Sequence, residues 1–363
     1  MTPVKLKGLD TVRRGYTTNE SWRAYATRPD PVRPALISKA QWEGLTGDEQ
    51  ERYDEARRAY HRRFRPLMTP IMRETHRQVL AQIWDNIDAG DGALPGGAID
   101  GPATLGKTTM LAELGRRFFL EFNRKHPAED PAEQHLSIPV AYITLPARCT
   151  PKGLNLRLAN FFNIPMPRNL RGVSADQLTD AVRRAVEDHQ TQLILTDDIH
   201  YLQLRDSNRQ RADADRSANE HLKFLANELP ATFVYAGINL DSSGLFDDGG
   251  LIDLPYAQTG GRFLHCRVER FNADTVEWTD LLNALQGHLL LLEMPPDCLV
   301  KMSGYLFKRT QGSIGALVNL VRKGANLVVG RIETLTVKLL DQIKTDRNSQ
   351  QRADIELYGV VRK

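Results

Sequence analysis

Gly101-Pro102-Ala103-Thr104-Leu105-Gly106-Lys107-Thr108-Thr109 is the stretch on which the reading of this 363-residue chain turns. It follows a short apolar run, Gly97-Ala98-Ile99-Asp100, and opens a segment, 108–124, with apolar residues at helical spacing. The pattern G-x-x-x-x-G-K-[ST] between a strand and a helix has a physical rationale. Its glycines let the backbone wrap closely, so that N–H groups and the helix N-terminus face phosphate oxygens. Lysine reaches the β- and γ-oxygens, and the hydroxyl of Thr108 is offered to Mg²⁺. The loop 101–109 is therefore expected to hold ATP with Mg²⁺, and Lys107 to carry the contact that matters for hydrolysis.

Working outward, short apolar runs alternate with helical segments, the signature of a parallel α/β sheet. Strands are expected at GAID, at 139–145 (PVAYITL), 193–197 (LILTD), 231–237 (ATFVYAG) and 263–269 (FLHCRVE), with helices at 108–124, 154–163, 174–189 and 217–228. Leu193-Ile194-Leu195-Thr196-Asp197-Asp198 ends an apolar strand in two carboxylates. Coupled to the phosphate loop, Asp197 is expected to hold Mg²⁺ through its water shell and Asp198 to orient the attacking water, from a side chain one methylene shorter than the more usual glutamate. Two readings of Asn239 stand: a contact to the γ-phosphate or the water, or a turn residue before Leu240-Asp241-Ser242. Arg262, in Gly260-Gly261-Arg262-Phe263, is either an arginine that reaches a neighbouring subunit's γ-phosphate or a surface cation.

Four segments are expected. Residues 1–75 form a basic arm and helix, 76–270 the nucleotide-binding core, 271–345 an all-helical lid and 346–363 a polar tail. The first 45 residues, rich in Pro, Arg and Thr, read as irregular. Thr46-Gly47-Asp48-Glu49 reads as a capping box opening a helix with Tyr53, Ala56, Tyr60 and Phe64 on one face. Pro66 and Pro70 interrupt it before a second helix with Leu80, Ile83, Trp84 and Ile87. The pairs Phe118-Phe119 and Phe161-Phe162 read as core, and Cys149, Cys266 and Cys298 as buried thiols without disulfide or metal spacing. No apolar run approaches the roughly 18 residues of a membrane span, and the N-terminus lacks the apolar stretch of a signal peptide, so a cytoplasmic protein with no membrane partner is expected.

The ordered set GPATLGKTT, LILTDDIHYL, ATFVYAGINL, GGRF and RTQGSIGALVNLVRKGA resembles the AAA+ ATPases that assist transposition, the TniB and TnsC family, and the TniB-like proteins most. The resemblance covers about residues 70–345. It implies a homo-oligomer, ring or filament, that coats or encircles duplex DNA in its ATP state, delivers a transposase of the integrase type, and comes apart on hydrolysis. Residue by residue, it implies Lys107 and Thr108 for nucleotide and metal, Asp197 and Asp198 for metal and water, Asn239 as sensor and Arg262 as finger. One departure is plain: many AAA+ lids carry a nucleotide-sensing arginine in G-x-x-R, where this chain has Gly312-Ser313-Ile314-Gly315, and Arg322 is the nearest substitute.

Charge distribution bears on the DNA partner. The chain has a net charge of +3, with an excess of five basic residues in 1–75 (15 Lys/Arg, 10 Asp/Glu). Residues 146–172 hold Arg148, Lys152, Arg157, Arg168 and Arg171 with no acid. Lys152 first, then Arg148, Arg168 and Arg171, are the candidate phosphate contacts; the alternative is a solvated basic face. Two rival functions remain open: a nucleotide-gated DNA-binding scaffold with negligible hydrolysis, which Asp198 favours, and a signalling or helicase-loading ATPase with a protein partner.

Overall fold

The computed structural model describes residues 15–89, 94–130, 133–167, 169, 172–202, 211–240 and 263–344. In chain order these form α1 (Asn19–Ala26), α2 (Lys39–Glu43), α3 (Gly47–Arg63), α4 (Pro70–Ala89), β1 (Gly96–Asp100), α5 (Lys107–Lys125), β2 (Val140–Thr144), α6 (Pro151–Phe161), α7 (Ala175–Asp188), β3 (Leu193–Asp197), α8 (Arg211–Glu228), β4 (Thr232–Gly237) and β5 (Phe263–Arg267). Helices alone follow: α9 (Val276–Gly287), α10 (Cys298–Lys301), α11 (Ser303–Thr310), α12 (Ile314–Val328) and α13 (Val337–Asp341). Two compact units result, one of residues up to 28, 71–102 and 107–268, the other of 29–70, 103–106 and 269 onward.

The first unit is built on a five-stranded, all-parallel sheet in the order β2-β3-β4-β1-β5. Strands β1, β3 and β4 are buried throughout, as expected of a parallel sheet covered on both faces. β5, at the edge, is only partly buried. The order sends the chain from β1 across to β2 at the far edge and back, so the carboxyl ends of β1, β4 and β3 lie side by side. In open α/β sheets the crevice at such a reversal is where ligands bind. Phe118, Phe119, Phe161 and Phe162 are buried, as the helical faces required, and Cys149 is buried as well.

The first 45 residues are not irregular throughout. Thr18 and Ser21 cap α1 reciprocally, Ser38 and Gln41 cap α2, and Trp22 and Ala26 are fully buried in the first unit. Two buried residues in eight are too short a stripe to betray a helix by periodicity.

The second unit packs α3 with the C-terminal helices around Trp278, Leu282, Leu285, Leu306, Leu317 and Leu320. Its α3 departs from the expected apolar stripe: the buried residues are Asp54, Arg57, Tyr60 and His61. Arg57, fully buried, grips Glu333 through both guanidinium nitrogens at 2.7 and 2.8 Å and donates to the Leu290 carbonyl at 3.0 Å. Glu333 also accepts from the Leu292 amide at 3.0 Å. Burial would raise the Glu333 carboxyl, and the Arg57 bonds and charge outweigh it, so the carboxyl stays below its usual range. A buried pair of this kind is weak evidence of net stability, but removing one partner strands the other charge. Arg57→Ala is expected to cost roughly 3–5 kcal/mol, read as a lowered denaturant midpoint.

His61 lies one turn on, and its Nε2 accepts from the Leu290 amide at 2.8 Å. Burial, then the Arg57 charge, push its pKa down from 6.5 to about 4. The unfolded chain therefore takes up a proton that the folded chain refuses, so this contribution is complete above pH 6.5 and is lost as pH falls toward 4. Thermal melts from pH 7 to 4.5 should show falling stability, with a shallower fall in His61→Gln, which keeps an acceptor and cannot titrate.

Candidate functional site

Lys107 is the first residue of α5, directly after the phosphate loop, so the loop feeds its amides into a helix N-terminus. Gly101 has φ of +154°, and a Cβ there would run into the Val268 carbonyl; only glycine fits. Thr104 and Gly106 have positive φ, 68° and 85°. For a β-branched residue that conformation is strained by on the order of 1–3 kcal/mol. Within the second unit, Ser313 holds it: its Oγ donates to the Thr104 carbonyl at 2.9 Å. Leu105 is buried, whereas Pro102, Ala103, Thr104, Thr108 and Thr109 are exposed.

The Lys107 side chain is buried, and its Nζ donates to the carbonyls of Gly101 and Pro102, each at 2.6 Å. Burial pushes its pKa down, against the raising pull of Asp197, Asp100 and Asp198 in that order. One ammonium thus faces three carboxylates. Asp197, at the end of β3, is buried; its Oδ2 accepts from the Tyr142 hydroxyl at 3.0 Å and its Oδ1 from the Asp198 amide at 2.9 Å. Burial and then the Asp197 charge keep Tyr142 protonated far above the usual phenol range, so it acts as donor. Asp198 is half-buried and left-handed, with φ of 55°. Burial, then the charge of Asp197, raise its pKa.

Asp100, ending β1, accepts with Oδ1 from the Gly101 amide at 2.7 Å and the Leu240 amide at 3.0 Å. One carboxylate thereby joins the start of the phosphate loop to the turn after β4. In that turn Asn239 is exposed and left-handed, with φ of 54°, a conformation asparagine tolerates better than most residues. His200 follows in a 3-10 turn, Ile199–Tyr201, its ring 4.2 Å from that of Tyr201.

The oxygen donors here, the Thr108 hydroxyl and the Asp197 and Asp198 carboxylates, suit Mg²⁺, which takes one or two carboxylates together with phosphate oxygens and water. Among the described residues no three His, Cys, Asp or Glu side chains converge to hold a metal by themselves.

Of the basic candidates, Arg148 is exposed and left-handed, with φ of 59°, immediately before α6. Lys152 is half-buried in the first turn of that helix, which Thr150 caps by accepting from the Gly153 amide at 3.1 Å. Arg168, Arg171 and Arg262 lie outside the described residues, as do Asp241 and Ser242. Arg322 lies on α12, donating to Asn319 at 2.9 Å and to the Arg62 carbonyl of α3 at 3.4 Å.

Sequence reasoning missed Asp100, Tyr142 and Ser313. For Asp100 a signal existed: a charge closing the apolar strand GAID. Tyr142 sits in an ordinary strand, and nothing in the sequence marks Ser313 as a partner of Thr104. Gly315 leaves no space for a side chain. A Cβ on Gly315 would stand 2.7 Å from the Thr104 carbonyl, so no side chain fits without moving the loop backbone. Gly315→Ala is expected to weaken ATP binding several-fold and cost roughly 1–3 kcal/mol of stability, measured with a fluorescent ATP analogue and by thermal denaturation.

Residues 74–249 match the family model described as Bacterial TniB protein. Among solved structures, the Aeropyrum pernix ORC2 protein in its ADPNP-ADP complexes is similar with a TM-score of 0.51 at 12% identity, over 76% of this chain and 68% of that one. Its ADP form gives 0.50 at 13%, over 74% and 66%. At such identities the likeness is one of fold. No curated protein sequence matches this chain.

Proposed function

We propose that this chain, TniB-like over residues 74–249 on an AAA+ fold, is an ATP-dependent regulator of DNA transposition. In its ATP state it assembles on duplex DNA and delivers a transposase of the integrase type, and hydrolysis takes the assembly apart. The observation that carries this reading is the phosphate loop that feeds the N-terminus of α5, with the buried Lys107 ammonium on the Gly101 and Pro102 carbonyls, in the sheet unit whose β3 ends in the buried Asp197.

In this reading the loop amides of 101–109 and the N-terminus of α5 take the phosphates, as the nucleotides of the ORC2 complexes suggest by class. Lys107 leaves the Gly101 and Pro102 carbonyls for the β- and γ-oxygens. Thr108 and Asp197 hold Mg²⁺, which when bound neutralises charge developing on the transferred phosphoryl group. Asp198 orients the water, Asn239 senses the γ-phosphate from a turn anchored by Asp100, and Arg262 serves a neighbouring subunit in trans. Arg148, Lys152, Arg168 and Arg171 contact DNA phosphates. The positive end of α6 adds to the field of Arg148 and Lys152, and such contacts give salt-dependent, weakly sequence-selective binding.

Asp198 favours a second reading, a nucleotide-gated scaffold with negligible turnover, because its carboxylate is one methylene shorter than glutamate. Phosphate release with and without duplex DNA separates the two.

Lys107→Ala is expected to lower Mg·ATP affinity at least about a hundredfold, in line with loss of a charge-assisted contact in a buried site, and to abolish ATP-dependent assemblies on duplex DNA seen by electron microscopy. Assemblies that persist unchanged in this variant would refute the nucleotide switch.

A further inference from the structure

We infer that Tyr142 is a positioning residue for the Asp197 carboxylate, and that Trp22, from the N-terminal segment, is the backstop that holds Tyr142 in place. This rests on the proposed function, in which Asp197 bears the metal.

The sheet register makes the contact possible. Tyr142 of β2 pairs with Leu195 of β3, and Asp197 lies two residues farther on, hence on the same face and diagonal to Tyr142. The phenol reaches along that diagonal to donate to Oδ2 at 3.0 Å, while the Asp198 amide occupies Oδ1 at 2.9 Å. With one donor on each oxygen, the carboxylate plane is fixed and a lone pair on each oxygen stays available. Both side chains are buried, so no water can substitute cheaply for the phenol.

The tyrosine is held in turn. Its ring stacks on Trp22 at 5.4 Å and 15°, and Tyr16 meets it edge-on at 4.9 Å. Trp22 is fully buried although α1 is a short helix of eight residues. It fits against α5 where Gly115 leaves a notch: a Cβ on Gly115 would lie 2.8 Å from the indole and would collide with the Leu195 side chain. Tyr25, one turn after Trp22, donates to Glu113 of α5 at 2.6 Å and fastens α1 to that helix. Packing thus runs from the Gly115 notch through Trp22 and Tyr142 to Asp197. A tyrosine that only filled the core would need its ring and no acceptor on this carboxylate.

The test uses the full chain and Mn²⁺ in place of Mg²⁺. Electron paramagnetic resonance titrates Mn²⁺ into protein with ADPNP, and nucleotide affinity is measured separately in EDTA. Tyr142→Phe, which keeps the ring, is expected to weaken Mn²⁺ binding about tenfold, the usual weight of a hydrogen bond to a charged group. Metal-free ADPNP affinity should change by less than about twofold. Trp22→Leu, which keeps the hydroxyl and loosens its support, should give a smaller loss in the same direction. Unchanged or tighter Mn²⁺ binding in Tyr142→Phe, or equal losses with and without metal, overturns the positioning role. If the wild-type chain binds no nucleotide under either condition, the proposed function itself fails and this inference falls with it.

Discussion

The first unit buries one ammonium, Lys107, together with two carboxylates, Asp100 and Asp197, that end strands β1 and β3. Left to itself that cluster has an excess of negative charge, held away from solvent at Asp100 and Asp197. The chain meets the condition with donors. Tyr142 and the Asp198 amide serve Asp197, the Gly101 and Leu240 amides serve Asp100, and Lys107 spends its own protons on two loop carbonyls. These donors fix the orientation of both buried carboxylates.

The segment before the sheet serves both units. Residues 15–28 supply the first with Trp22, an aromatic anchor under Tyr142, while residues 29–70 supply the second with α3 and its buried Arg57. Arg57 binds Glu333 and the Leu290 carbonyl, so a helix near the start of the chain and a turn near residue 333 share one buried charge pair. That is a demanding way to join distant segments, since neither partner tolerates the loss of the other.

Gly315 and Asp198 each answer to a local physical constraint. Gly315 cannot carry a side chain because the Thr104 carbonyl stands where a Cβ would go. Thr104, strained at positive φ, has its carbonyl fixed by Ser313 two residues before that glycine. At Asp198 the left-handed conformation lets the amide cap the preceding carboxylate, so this residue contributes through its backbone as well as its shorter side chain.

Much of this was legible in the sequence because it depends on near neighbours. The G-x-x-x-x-G-K-[ST] loop, the apolar strands and Thr46-x-x-Glu49 fixed the strand segments, the start of α5 and the start of α3, since a loop, a strand face and a helix cap each depend on residues within a few positions. Helix α1 escaped because eight residues with two buried ones carry too little periodicity, and most of the core stripe of α3 escaped because only Tyr60 of the expected face is buried, beside Asp54, Arg57 and His61. Asp100 to Leu240, Tyr142 to Asp197, Ser313 to Thr104 and Arg57 to Glu333 span 140, 55, 209 and 276 residues. The sequence by itself determined a loop of the pattern G-x-x-x-x-G-K-[ST] and an apolar strand that ends in two carboxylates. Only the tertiary structure decided which side chains complete them, because a buried charge takes its partner from whatever the fold brings within about 3 Å, at any separation along the chain.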